Sequence, residues 1–137
     1  MIYHVACKYG SGPLLWFGDD RRFRIIQYNE LTPLITGPGY TLITPKYLPA
    51  FEGLLQEEVE IIPASIYRLA THEEWNDYFQ LLIHKTIRPK MIDRIQSTHE
   101  NIWQYEGYLF VAQRIKDKLA KLSTGELQFS PGFSHFG

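Results

Sequence analysis

An α+β domain, built of a mostly antiparallel β-sheet with two short helices, is the fold class that three features of this 137-residue sequence predict. Three β-rich runs lie close together at the N-terminus, a strand–helix–strand unit occupies residues 40–69, and the amphipathic stretch RIKDKLAKL precedes a last β-rich run. The length suits one domain, 1–137, that buries about two-thirds of its unfolded surface.

Residues 2–7, 13–17 and 23–27 read as strands, separated by a Gly10-Ser11-Gly12 turn and an exposed Asp19-Asp20-Arg21-Arg22 connection. Strands so close in sequence most simply form an antiparallel meander. Thr32-Pro33 and Gly37-Pro38-Gly39 argue for an irregular connection over 29–39. A strand over 40–44 then leads to Thr44, a candidate cap for a helix with Pro45 at its first position, where the missing N–H costs nothing. Leu48, Phe51, Leu54 and Leu55 give that helix one apolar face. Val59, Ile61 and Ile62 open another strand, and Pro63 weakens the case for a central ladder position.

Residues 71–87 carry two competing signals. Thr71 and Glu74 fit a capping box, which would launch a helix through Trp75, Tyr78, Phe79 and Leu82. Tyr78, Phe79, Leu81, Leu82, Ile83, Thr86 and Ile87 instead favour a strand, and we read a turn over 71–77 followed by a strand over 77–87. Arg88-Pro89-Lys90 ends it, 91–95 reads as a short strand, and 97–101 is turn-rich. A strand over 108–112 follows Gly107. Ile115, Leu119 and Leu122 then share a helical face opposite Lys116, Lys118 and Lys121, and 126–129 reads as the last strand.

The formal charge of −1 is unevenly spread. Residues 1–51 carry net +2, residues 52–77 net −6 and residues 78–137 net +3. The acidic middle disfavours a nucleic-acid partner and favours a basic one. Cys7 is the single cysteine, so no internal disulfide forms, and its setting suggests a buried strand thiol. No segment approaches the roughly 20 apolar residues of a membrane helix, and the start lacks a signal-peptide pattern, so a cytoplasmic protein is expected.

Reactive constellations are sparse. His4, His72, His84, His99 and His135 have no metal-ligand spacing, no GxSxG elbow surrounds Ser11 or Ser65, and the glycines form no phosphate-cradling loop. Neither a metal nor a cofactor is expected, and no enzyme activity. The best acid–base candidates are His72 beside Glu73 and Glu74, and His99 beside Glu100. Lys85, Arg88, Lys90 and Arg94, interleaved with Ile87, Met91 and Ile92, form a basic strip able to meet phosphates or a peptide, or to protect an edge strand.

Several segments, in order, carry a family pattern. Ile43 to Leu48 fits an I-[ST]-x-[KR]-h-x-x-h helix start, and Glu60-Ile61-Ile62-Pro63 fits an h-x-F-h-P strand with Ile62 in place of the aromatic residue. Tyr78-Phe79 fits a tyrosine-bearing strand, Ile92-Asp93-Arg94-Ile95-Gln96-Ser97 an "ID–x–S" segment, and Leu127-Gln128-Phe129-Ser130-Pro131 a closing F-x-P. The chain thus resembles, over residues 40–131, a group of bacterial immunity proteins encoded beside polymorphic toxins. The resemblance implies a cytosolic antitoxin that binds one cognate toxin domain and blocks it. Glu73, Glu74, Trp75, Asp77 and Tyr78 form the most interface-like cluster, with charges to steer a partner and rings to anchor it. The alternatives are a small enzyme using His72 or His99, and an adaptor that binds nucleic acid or peptide through 85–94. Bare sheet edges also leave room for a homodimer.

Overall fold

A computed structural model of the chain describes residues 2–8, 10–54, 57–87 and 100–132. Within them the α+β class is realised as two sheets and two short helices. The strands are β1 (Ile2–Cys7), β2 (Leu14–Phe17), β3 (Phe23–Gln27), β4 (Leu34–Gly37), β5 (Tyr40–Ile43), β6 (Val59–Arg68), β7 (Glu73–Ile83), β8 (Ile102–Tyr105), β9 (Tyr108–Ala112) and β10 (Leu127–Pro131). The helices are α1 (Leu48–Phe51), flanked by 3-10 turns Pro45–Tyr47 and Glu52–Leu54, and α2 (Gln113–Leu122). One sheet has the order β10-β1-β9-β8, the other β2-β3-β6-β7-β5-β4, and every pairing is antiparallel except β3 with β6.

The expected N-terminal meander does not form. Only β2 and β3 pair, while β1 lies between β9 and β10 in the other sheet. Gly10 and Gly12, at φ 156° and 75°, let the chain leave one sheet for the other. Inserted centrally, β1 gains a ladder on both sides and buries Ile2 and Val5, which an edge position in a meander would not provide. Residues 29–39 are not wholly irregular either. Leu34–Gly37 pairs with β5 across the Pro38-Gly39 turn.

Three further expectations shift. Thr44 is extended and precedes the first 3-10 turn as predicted, but its hydroxyl makes no capping bond; its carbonyl accepts from the Tyr47 N–H instead. Pro63 lies within β6, between β3 and β7, yet β3 pairs only with Ile66 and Tyr67. Proline therefore faces no strand on the β3 side, while on the other side it is opposite Phe79 of β7. The turn expected over 71–77 is shorter, because β7 starts at Glu73 and pairs back through Tyr67↔Glu74 and Arg68↔Glu73. The capping-box residues serve that turn: Thr71 Oγ1 donates to Glu73 Oε1 at 2.8 Å while His72 adopts φ 60°. The expected 91–95 strand lies outside the described residues. β8 falls between the turn-rich 97–101 and Gly107, where the sequence predicts no element. It forms a tight hairpin with β9 through Glu106 and Gly107, both at positive φ.

The main core lies between the sheets and under both helices. Val5, Leu109 and Val111 of the first sheet meet Leu34, Ile43, Val59 and Leu81 of the second, with Tyr47, Phe51, Ile115 and Leu119 closing the layer. Ile115 and Leu119, on the apolar face of α2, contribute roughly 2 kcal/mol each by this burial. A second core fills the other face of the six-stranded sheet, with Leu15, Phe23, Ile25, Ile35, Tyr40, Leu42, Ile66 and Tyr78. That sheet is curled enough for the Tyr40 hydroxyl of β5 to accept a hydrogen bond from the Leu15 N–H of β2 at 3.0 Å. Leu15 therefore has its N–H satisfied although its strand is at the sheet's end.

Candidate functional site

Alternation along β2 and β3 decides which of their side chains reach water. Leu15, Phe23 and Ile25 point into the second core, so the cross-strand pair Trp16↔Arg24, and Ile26 two residues on, project from the opposite, outer face. Trp16 is 53% exposed and Ile26 57% exposed, with Leu14, Tyr28 and Leu69 also open to solvent nearby in the fold. Single exposed apolar residues are ordinary, but several on one region of the surface mark an interaction site.

Arginines thread this face. Arg22 stacks its guanidinium 4.3 Å from the Tyr67 ring centre and pairs with Asp20 at 2.9 Å and Glu74 at 3.4 Å. Arg68 stacks 3.8 Å over Tyr28. Arg24, Ile26, Tyr28, Arg68 and Leu69 line a groove of about 370 Å³ between β3 and the turn that joins β6 to β7. A smaller groove of about 170 Å³ adjoins it, between Arg22, Tyr67 and the turn residues His72, Glu73 and Glu74.

The cluster singled out on β7 is divided by the strand's own geometry. Ile66 pairs with Trp75 and Ala64 with Tyr78, so β7 has one more residue than β6 in this interval. The bulge places Trp75 and Tyr78 on the same face despite their three-residue spacing. That face is the core face. Tyr78 is buried, its hydroxyl donates to the Thr32 carbonyl at 2.8 Å, and Trp75 packs half-buried beside it. Glu73, Glu74 and Asp77 are exposed. Glu74 meets Arg22 and so borders the arginine-aromatic face, whereas the Tyr78 ring lies in the second core with Trp75 packed against it.

The acidic middle segment does not make one belt. Glu60 is the second residue of β6, while Glu73 stands opposite Arg68 in the strand register at its far end. At about 3.3 Å per strand residue the two groups lie some 26 Å apart, well beyond a Debye length of about 8 Å, so they act independently. Glu58 is engaged structurally, accepting from the backbone N–H of Asn101 at 2.5 Å and from its side-chain amide at 2.8 Å.

The remaining candidates separate in space. His72 sits exposed on a turn where Thr71 bonds Glu73 and Arg22 holds Glu74, and His99 lies outside the described residues. In the basic strip, Lys85 pairs with Glu100 at 3.4 Å and Ile87 is buried with Trp103 and Phe110; residues 88–94 lie outside the described residues. Among the described residues, no group of three or more His, Cys, Asp and Glu side chains is placed to hold a metal ion. Nor is any helix among them long and apolar enough to cross a membrane.

A polar cleft of about 490 Å³ lies elsewhere, between Cys7, the Gly10–Gly12 loop, residues 29–33 and Glu126. Burial raises the Cys7 thiol pKa, and its Sγ donates to the Leu34 carbonyl at 3.3 Å, which describes an inert thiol. Burial would push Glu126 up, but bonds from Lys46 at 2.6 Å, from Tyr47 and from Thr124 hold its carboxyl well below the usual range. Tyr47 is raised, by its burial and then by Glu126. This network ties the first 3-10 turn to the start of β10.

Sequence reasoning missed Trp16, Ile26 and Tyr28. The available signal was the absence of alternation in LLWF and FRIIQ. A strand with one wet face should carry polar residues at every second position. Comparison with protein-family models, curated proteins and solved structures finds no match to this chain.

Proposed function

We propose that this chain is an immunity protein of the cytoplasm that binds a cognate toxin domain and blocks it by occupying its surface. The observation that carries this reading is the exposed face of β2 and β3, where Trp16, Ile26, Tyr28 and Leu69 surround arginines that stack on tyrosines. Tryptophan, tyrosine and arginine are the residues that dominate binding energy at protein interfaces. The order of segments over residues 40–131 supports the same reading through its resemblance to immunity proteins. Glu73, Glu74 and Asp77 then act as charged rim rather than anchor, steering basic groups of the toxin.

The experiment expresses the toxin domain encoded beside this gene in bacteria, with and without this chain, and counts survivors. Protection with co-purification is expected. Trp16→Ala is expected to weaken binding about 30-fold or more, the loss of about 2 kcal/mol that marks an interface anchor. Killing that this chain does not relieve would remove the reading. Full protection by a Trp16→Ala, Ile26→Ala double variant would move the interface elsewhere.

A further inference from the structure

We propose that the groove between β3 and the β6–β7 turn is a carboxylate site, taking an aspartate or glutamate flanked by apolar side chains on a bound protein. The proposal rests on the reading of this face as a protein-binding surface and names what that surface recognises.

Three features of the groove converge. Arg24 Nε is shielded from solvent and has no hydrogen-bond partner among the described residues. A buried donor on a charged group is costly to leave unmade, and such orphans are rare in folded proteins. Arg68, in the same groove, stacks on Tyr28 and makes no ion pair among the described residues, and none of the groove's lining residues is acidic. Arg22, just outside, differs: it is neutralised by both Asp20 and Glu74. Two guanidinium groups without a carboxylate partner therefore face one cavity whose other walls are Ile26, Leu69 and the Tyr28 ring. A carboxylate in the groove accepts from a planar guanidinium fork in a way no neutral group matches, and the Arg24 Nε–H reaches it when that side chain turns toward the groove. The walls favour aliphatic neighbours on the ligand.

A nucleic-acid phosphate is the competing anion. The surroundings disfavour it, because Asp20, Glu73 and Glu74 flank this face and repel a polyanion whose charges extend beyond the groove. A lone carboxylate between apolar side chains fits inside.

The test titrates the intact protein with an acetylated, amidated Leu-Glu-Leu-Glu-Leu peptide, its glutamine twin, and a short oligothymidylate, following the arginine Nε–H resonances. Those of Arg24 and Arg68 are expected to move with the glutamate peptide alone. Arg68→Gln should weaken the peptide at least about tenfold, the loss expected for a charge-assisted bond. Arg24→Met should abolish the response while raising the urea midpoint, because it removes a buried unsatisfied donor; an arginine kept for structure would lower the midpoint. An equal response to the glutamine twin, a stronger one to the oligonucleotide, no response to any probe, or a destabilised Arg24→Met would each overturn the proposal. Since the titration contains no toxin, its result stands apart from whether the chain protects cells.

Discussion

Gly107 holds the contact between two hairpins, and alanine there should be one of the costliest single-methyl additions to the chain. A Cβ at this position would lie 2.7 Å from the Gly37 carbonyl carbon, 2.8 Å from its oxygen and 3.1 Å from the Pro38 nitrogen. All three atoms are backbone, so none can swing aside. Gly107 also has φ 85°, where alanine costs about 1 kcal/mol. Overpacking against rigid atoms adds about 2 kcal/mol, for a total of about 3 kcal/mol. Gly39 supplies the control: its φ is 79°, and a Cβ added there would meet nothing within 4 Å, so alanine should cost only the conformational 1 kcal/mol or so. Urea denaturation of both variants measures the difference. At a slope of about 2 kcal/mol per molar, the Gly107→Ala midpoint should fall about 1 M below that of Gly39→Ala. Equal midpoints would refute the claim that the β8–β9 turn is packed against the β4–β5 turn.

Tyr40→Phe removes the acceptor of the buried Leu15 N–H and should cost about 1–3 kcal/mol in the same assay; an unchanged midpoint would mean the curled sheet does not depend on that bond. Burial first, then the charge of Asp77, pushes Tyr78 from 10.0 up to about 12. Its pKa is raised on folding, so its contribution is intact below pH 10 and is lost as pH rises through about 12. Urea midpoints taken across that window should fall less steeply for Tyr78→Phe than for the parent. Glu126 has the opposite sign: its depressed pKa stabilises above the ordinary value of 4.5, and that stability disappears as pH falls below it. Glu126→Gln should therefore cost about 2 kcal/mol near neutrality and progressively less in acid, and a constant deficit at every pH would show that its charge is not what matters.

The local elements were largely readable. β-rich runs bounded by turn residues located β1, β2, β3, β5, β6, β9 and β10, and apolar residues three and four apart located both helices, because these signals lie within each segment. β4 was hidden by Pro33 and Gly37, which are turn residues in most settings but here precede and close a strand only four residues long. The start of β7 was masked because Thr71 and Glu74 satisfy a capping pattern. That pattern cannot register that Tyr67 and Arg68 offer Glu74 and Glu73 a ladder. For the candidate site, the acidic residues at 73, 74 and 77 do lie on the surface, but Trp75 and Tyr78, expected at an interface, are turned inward by a bulge.

Residue order alone specified the fold class and the positions of most strands, since these follow from composition and from periodicities of two and 3.6 residues. It could not specify the partition of strands between sheets, because β1 has the same local character whether it pairs with β2 or with β9 and β10. Sheet assignment depends on contacts made across more than a hundred residues, such as Val5 with Leu109 and with Phe129. The same non-local pairing sets which faces stay wet. Trp16 and Ile26 stay exposed on the outer side of β2 and β3, and the shielded Arg24 Nε lacks a hydrogen-bond partner among the described residues; both are properties of the assembled sheets and of no segment within them.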